Sequence, residues 1–145
     1  MSTRKCILIK SEEVFKTLKT KPVKGGRILD PIGKLFVSGV LPGTIIEDVR
    51  IWRNEAELHI NEADFWICLQ GKAKFLYGGK MVKPYRKKMS DGSINKDHLF
   101  SKKITGGTKI ILKPYDIFLI PAGQPHQHGS DSIARLAVIK IPDKK

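Results

Sequence analysis

The chain has 145 residues, 41% hydrophobic and 28% charged, which fits one folded domain and excludes a disordered polyelectrolyte. Lys and Arg number 27 against 14 Asp and Glu, a net charge of +13. No apolar run approaches the ~20 residues of a membrane helix, and two cysteines, Cys6 and Cys68, without a CxxC, argue against a disulfide or zinc-ribbon framework and for a reducing, cytoplasmic setting.

The first residues, Met1 to Ile9, are basic and then briefly apolar. Lys10 ends the apolar stretch too early for a signal peptide. Residues 5–9 read as an isolated apolar strand. Residues 11–19 read as a short helix: Ser11 suits the N-cap, Glu12 and Glu13 suit the positive helix start, and Val14 and Leu18 lie four apart. Beyond them strand and turn signals dominate. Leu35–Val40, Thr44–Trp52, Glu57–Ile60, Phe65–Leu69, Ala73–Tyr77, Lys109–Leu112, Ile117–Ile120 and Ala134–Ile141 are short β-rich runs between Gly- and Pro-marked turns. Leu76 to Val82 reads as a tight hairpin around Gly78-Gly79. Residues 83–108 are polar, lysine-rich and weak in strand signal, and read as an irregular insert. Many short strands with frequent turns predict an all-β sandwich or barrel. Residues 1–34 are then an N-terminal strand/helix arm that packs on or swaps with a barrel of residues 35–145.

The charge is uneven along the chain. Residues 72–113 hold 12 basic and 2 acidic residues, whereas residues 51–71 set Arg53 against Glu55, Glu57, Glu62 and Asp64. Side chains two apart on a strand share a face, so Glu57 and His59 point together. Asp64 opens the next strand, and His126 and His128 follow the Pro121-Ala122-Gly123 turn. Imidazole and carboxylate donors converging from a rigid frame suit a divalent transition metal: Fe, Mn, Ni, Zn or Cu.

These spacings resemble the two motifs of the cupin superfamily. The first, G-x5-H-x-H-x3,4-E-x6-G, is matched by Glu57-x-His59-x4-Asp64-x6-Gly71. The second, G-x5-P-x-G-x2-H-x3-N, is matched by Tyr115-x5-Pro121-x-Gly123-x2-His126-x3-Ser130. The run Arg135–Pro142 is similar to the last barrel strand. The resemblance covers residues 35–142 and implies a double-stranded β-helix, or jelly-roll barrel, with a short N-terminal helix. It implies Glu57, His59, Asp64 and His126 as ligands of one metal ion (Fe, Mn, Ni or Zn). The Glu-x-His pair is similar to that of small single-domain bacterial cupins, and more distantly to that of YhcH-like sugar-handling proteins. The departures are Glu57 for the first histidine, Asp64 for the glutamate, Ile51 and Tyr115 for two glycines, and Ser130 for the asparagine.

Three functions are open at this point. The first is an enzyme for a small polar substrate, sugar-like or a carboxylate, working by metal-assisted isomerisation, epimerisation or dioxygenation, with Asp64 or His128 moving the proton. The second is a non-catalytic small-molecule binder. The third is a polyanion or nucleic-acid binder using residues 72–113. The locally acidic ligand segment disfavours the third, and the basic region reads instead as a guide for an anionic ligand. Cys68 and Trp66, of one parity with Asp64, line the cavity or belong to the core. His128 is either a catalytic or a surface-loop histidine, and His98 reads as an ordinary insert residue. The resemblance also implies a homodimer, paired edge to edge through residues 5–9.

Overall fold

In the computed structural model, residues 5–144 are described, so residues 1–4 of the expected arm and residue 145 lie outside the described residues. The chain is mostly β, with two helices and an antiparallel sheet curled into a half-barrel. Its elements are α1 (Ser11–Leu18), β1 (Gly25–Ile28), α2 (Ile32–Val37), β2 (Gly43–Trp52), β3 (Ala56–His59), β4 (Glu62–Gly71), β5 (Ala73–Tyr77), β6 (Lys80–Met81), β7 (His98–Ser101), β8 (Ile104–Thr105), β9 (Thr108–Leu112), β10 (Ile117–Ile120) and β11 (His126–Pro142). Among the described residues no helix is long and apolar enough to cross a membrane.

The 17-residue β11 organises the sheet. One of its edges pairs with β2 and, at His126, with β3; the other pairs with β5 and then β4. β1 and β7 extend the first edge, and β9 and β10 extend the second. To serve both halves β11 must bend, and its register shifts between Ser130 and Ile133. The neighbouring chain bends at the same level, at Gly71, with φ +72. A Cβ there would lie 1.9 Å from the Ile133 carbonyl oxygen, to which the Lys72 N–H donates at 3.0 Å. Two constraints, left-handed backbone and close strand approach, therefore both require glycine.

Alternation sorts the side chains. Ile46, Trp66, Cys68, Phe75, Leu112, Ile120, Leu136 and Val138 pack on the concave face. On the other face Ile45, Leu69 and Ala137 are covered by Leu29, Ile32, Val14 and Leu18 of the N-terminal region. A buried ion pair lies beneath that cover. Arg135 and Glu47 are register partners, and the guanidinium donates to Glu47 Oε2 at 2.8 and 2.6 Å. Arg27 and the Val23 N–H donate to Glu47 Oε1. Arg135 also donates to the carbonyls of Leu18 and Thr20. A buried charge must be fully partnered, and here the chain after α1 completes the pairing, fastening the arm to the sheet.

Several expectations shift. The helix expected over 11–19 is α1, but its N-cap is Lys10, which makes no side-chain cap hydrogen bond, so Ser11 lies inside the first turn. Residues 5–9 are not a strand: Ile7 and Leu8 are exposed, and Ile9 packs beside α1. The strand expected over Leu35–Val40 is α2 instead, which spans the arm boundary expected at residue 34. A six-residue apolar run does not distinguish strand from helix by its pattern, and Ile32 decides it by packing on Leu29 and Ile45.

The hairpin expected over Leu76–Val82 does not form. β6 pairs with β8, and Gly78-Gly79 (φ +74 and +67) turns the chain between sheets. A Cβ on Gly79 would meet the Thr105 oxygen at 2.4 Å and the Gly107 nitrogen at 2.8 Å, so two glycine pairs abut at that corner. The insert is shorter than expected, because β7, β8 and the start of β9 occupy its second half.

The two reasons for glycine are separable. Gly71→Ala should lower the unfolding free energy by at least about 3 kcal/mol, from overpacking plus left-handed strain. Gly78→Ala, where φ is +74 but the added methyl meets open space, should cost only about 1 kcal/mol. Urea denaturation of both variants measures the difference.

Candidate metal centre

Three strands deliver four side chains to one point. Alternation on β3 turns Glu57 and His59 to the same side, β4 brings Asp64, and β11 begins with His126, the register partner of Glu57. His59 Nε2 lies 3.4 Å and His126 Nε2 3.3 Å from Asp64 Oδ2. Glu57 Oε2 is 3.8 Å from His59 Nε2 and 4.0 Å from His126 Nε2. The groups whose donor atoms lie close enough to hold one metal ion are Glu57, His59 and His126, and His59, Glu62 and Asp64. The expected residues are thus brought together, and Glu62 joins their rim. Asp64 and His126 are each 1% exposed, whereas Glu57 is half-buried.

The hydrogen bonding is incomplete in a specific way. Nδ1 of His126 lies 3.1 Å from the Gln124 carbonyl, which only accepts. That nitrogen therefore carries the proton, and Nε2 of a neutral ring presents a lone pair. It faces Asp64 Oδ2, another lone-pair atom. His59 Nε2, His126 Nε2 and Asp64 Oδ2 are all buried without a hydrogen-bond partner. Unpartnered buried polar atoms are costly, and these groups could hold a metal ion between them. Asp64 Oδ1 is occupied by the Lys140 ammonium at 2.7 Å.

Burial works to raise the Asp64 carboxyl pKa, but His126, His59 and the Lys140 charge outweigh it and hold it well below the usual carboxylate range. Glu57 follows the same pattern: burial works to raise its pKa, and the neighbouring His126, His98 and His59 imidazoles outweigh it and hold it below the usual carboxylate range.

His98, read from the sequence as ordinary, belongs to this site. β7 sets it opposite His59, ring centroids 4.3 Å apart, with Nε2 3.9 Å from Glu57 Oε1. Burial and then the nearby His59 push its pKa down to about 4, so it is neutral near pH 7. A second unforeseen residue is Asp48. This fully buried carboxylate accepts from His128 Nδ1 at 2.6 Å and from Arg53 Nε at 2.6 Å. His128 is therefore not a surface-loop residue. Its ring stands 5.1 Å from Trp66 and 5.3 Å from Phe75. The signal for Asp48 was a carboxylate of the same parity as Ile46 within an apolar strand.

Glu57 stands between two cavities. One, of about 820 Å³, is lined by His59, Glu62, Asp97, His98 and Lys140. The other, of about 320 Å³, is lined by Arg53, His126 and His128. Lys87 of the basic loop pairs with Glu55 at 2.5 Å and lies over the Phe100 ring at the smaller cavity. Cys68 is fully buried with Sγ 3.7 Å from the Gln70 and Gly71 carbonyls. Burial raises its thiol pKa, so it is a small core residue. Trp66 meets Phe75 edge-on at 5.2 Å as part of the same core.

The chain matches no protein-family model and no curated protein.

The pairing around Asp48 predicts a pH dependence. Burial works to raise its pKa, but the His128 hydrogen bond and charge and the Arg53 charge hold it below the usual carboxylate range. A depressed folded pKa stabilises the fold above the unfolded value of about 4, and that contribution is lost as pH falls through the folded value. The Tm should fall progressively below about pH 4. Asp48→Asn should be less stable at pH 7 and should show a shallower fall in acid, both read by circular-dichroism melts.

Proposed function

We propose that this chain is a metal-binding barrel of the cupin type, a double-stranded β-helix, and that it is an enzyme acting on a small polar substrate. One observation carries the metal reading: three buried atoms able to ligate a metal, His59 Nε2, His126 Nε2 and Asp64 Oδ2, face one another without a hydrogen-bond partner, the two nitrogens 3.4 and 3.3 Å from the carboxylate oxygen. Glu57, His59, Asp64 and His126 would hold the ion, and Glu62 stands beside them. When bound, a divalent Fe, Mn, Ni or Zn ion supplies Lewis acidity or, for a redox-active ion, oxidising power.

The chain's own groups define the rest. The cavity of about 320 Å³ is at the small end of ligand sites, and suits a sugar-like or carboxylate substrate. Arg53 lines it and offers charge to an anionic group. His128 has its Nδ1 proton directed at Asp48, so Nε2 is the atom that exchanges a proton with substrate. Asp48 is a positioning residue that sets this tautomer. The Lys140 ammonium on one oxygen of Asp64 and the two imidazoles at the other support a ligand role for it rather than that of a proton carrier. Isomerisation, epimerisation and dioxygenation all fit this set of groups.

Metal analysis of untagged protein tests the proposal. Wild type should hold about one equivalent after reconstitution with Fe, Mn, Ni or Zn. Glu57→Ala, His59→Ala and His126→Ala should each lose it, with a fall in affinity of at least about tenfold. His128→Gln should keep the metal. Wild-type protein that takes up no stoichiometric metal overturns the reading.

A further inference from the structure

Trp52 ends β2, is 40% exposed, and lines neither of the two cavities beside Glu57. Its register partner is Gly129, which in turn pairs with Lys74 of β5. Gly129 is one residue beyond His128, so alternation puts this row on the opposite face of the sheet from the His128 ring. The indole therefore stands beside bare backbone, with Lys74 Nζ 5.9 Å from its ring centre.

Three surface grooves meet at this one side chain. The first, about 610 Å³, continues past Lys74 to Lys109 and Ile111. The second, about 340 Å³, runs to Arg53, Lys102 and Lys103. The third, about 210 Å³, runs to Arg50 and Asp131. Six basic side chains thus surround an exposed indole. Lys74 is paired with Asp131 and Arg53 with Asp48; Arg50, Lys102, Lys103 and Lys109 have no ion-pair partner among the described residues. Four of the six belong to the 72–113 segment, whose excess of positive charge the metal centre does not use.

We propose that this face binds single-stranded nucleic acid, with a base stacked on Trp52 and the backbone phosphates lying along the grooves towards Lys102, Lys103 and Lys109. Every base offers a flat face to an indole, and neighbouring phosphates need cations on either side of the stacked unit. A duplex hides its base faces and loses the stacking contribution. None of the three grooves is lined by Glu57, His59, Asp64 or His126, and of the six basic side chains Arg53 alone is shared with the smaller cavity, so binding does not need the metal.

The test is titration with single-stranded oligo-dT and oligo-rU of about 12 nucleotides, within the span of known single-strand sites. The only other tryptophan, Trp66, is buried, so quenching of tryptophan emission reports on Trp52. Wild type should bind and be quenched, and affinity should fall steeply between about 50 and 200 mM salt. Trp52→Ala should weaken binding about tenfold or more, while Trp52→Phe keeps most of it. Lys102→Ala with Lys109→Ala should lower the salt slope by about two. His59→Ala should bind like wild type. Absence of binding at about 50 mM salt overturns the proposal. So does equal affinity of Trp52→Ala, or displacement by heparin with no change in emission on oligonucleotide addition; each would leave a basic surface without a base site.

Discussion

The fold depends on one strand having to satisfy two sets of neighbours. β11 runs beside β2 along most of its length while its other edge passes from β5 to β4. A flat strand cannot do this. The shift near Ser130 and the glycine at Gly71 give both chains the same bend at the same height. That bend makes the sheet concave, and concavity lets β3, β4 and β11 aim side chains at a common point. The donor cluster is therefore a product of curvature as much as of residue type.

Electrostatics divide the molecule in an unexpected direction. Acidic residues are the minority, yet Glu47, Asp48 and Asp64 are all essentially buried. Each is matched to cations or imidazoles: Glu47 to Arg135 and Arg27, Asp48 to Arg53 and His128, Asp64 to Lys140 and two histidines. One pair fastens the arm, one orients a histidine, and one faces the donor cluster. Each buried carboxylate takes at least one cation as its partner, so burying the three does not by itself make the exterior more positive.

Much of this was legible along the chain, and the gaps have physical causes. Ile117–Ile120 appears as a strand with the expected bounds because turns enclose it on both sides. Glu57 and His59 share a face because alternation is local. His98 was hidden because its importance is a register fact: it faces His59 only after β7 docks on β3 across nearly forty residues. The failed hairpin has a similar origin, since Gly78-Gly79 permits several turns and contact with Gly107 selects one. Tyr115 adopts φ +74 although it is not glycine, with its N–H donating to the Cys68 carbonyl at 2.7 Å. The β-rich curled sheet and the convergence of Glu57, His59, Asp64 and His126 were readable from spacing, whereas Asp48, His98 and the Trp52 face required the third dimension.

The contact between His126 and the Gln124 carbonyl has a further consequence. The group that fixes the imidazole's proton belongs to the main chain and not to another side chain. No replacement of a neighbouring residue can delete it, because every amino acid carries the same carbonyl. Drift in sequence around the ring can alter its packing while its lone pair keeps facing the cluster. Only a change in the path of the Pro121–Pro125 turn could rotate that acceptor away. The orientation of this nitrogen is thus inherited from the shape of a loop, which is more resistant to mutation than any chosen partner.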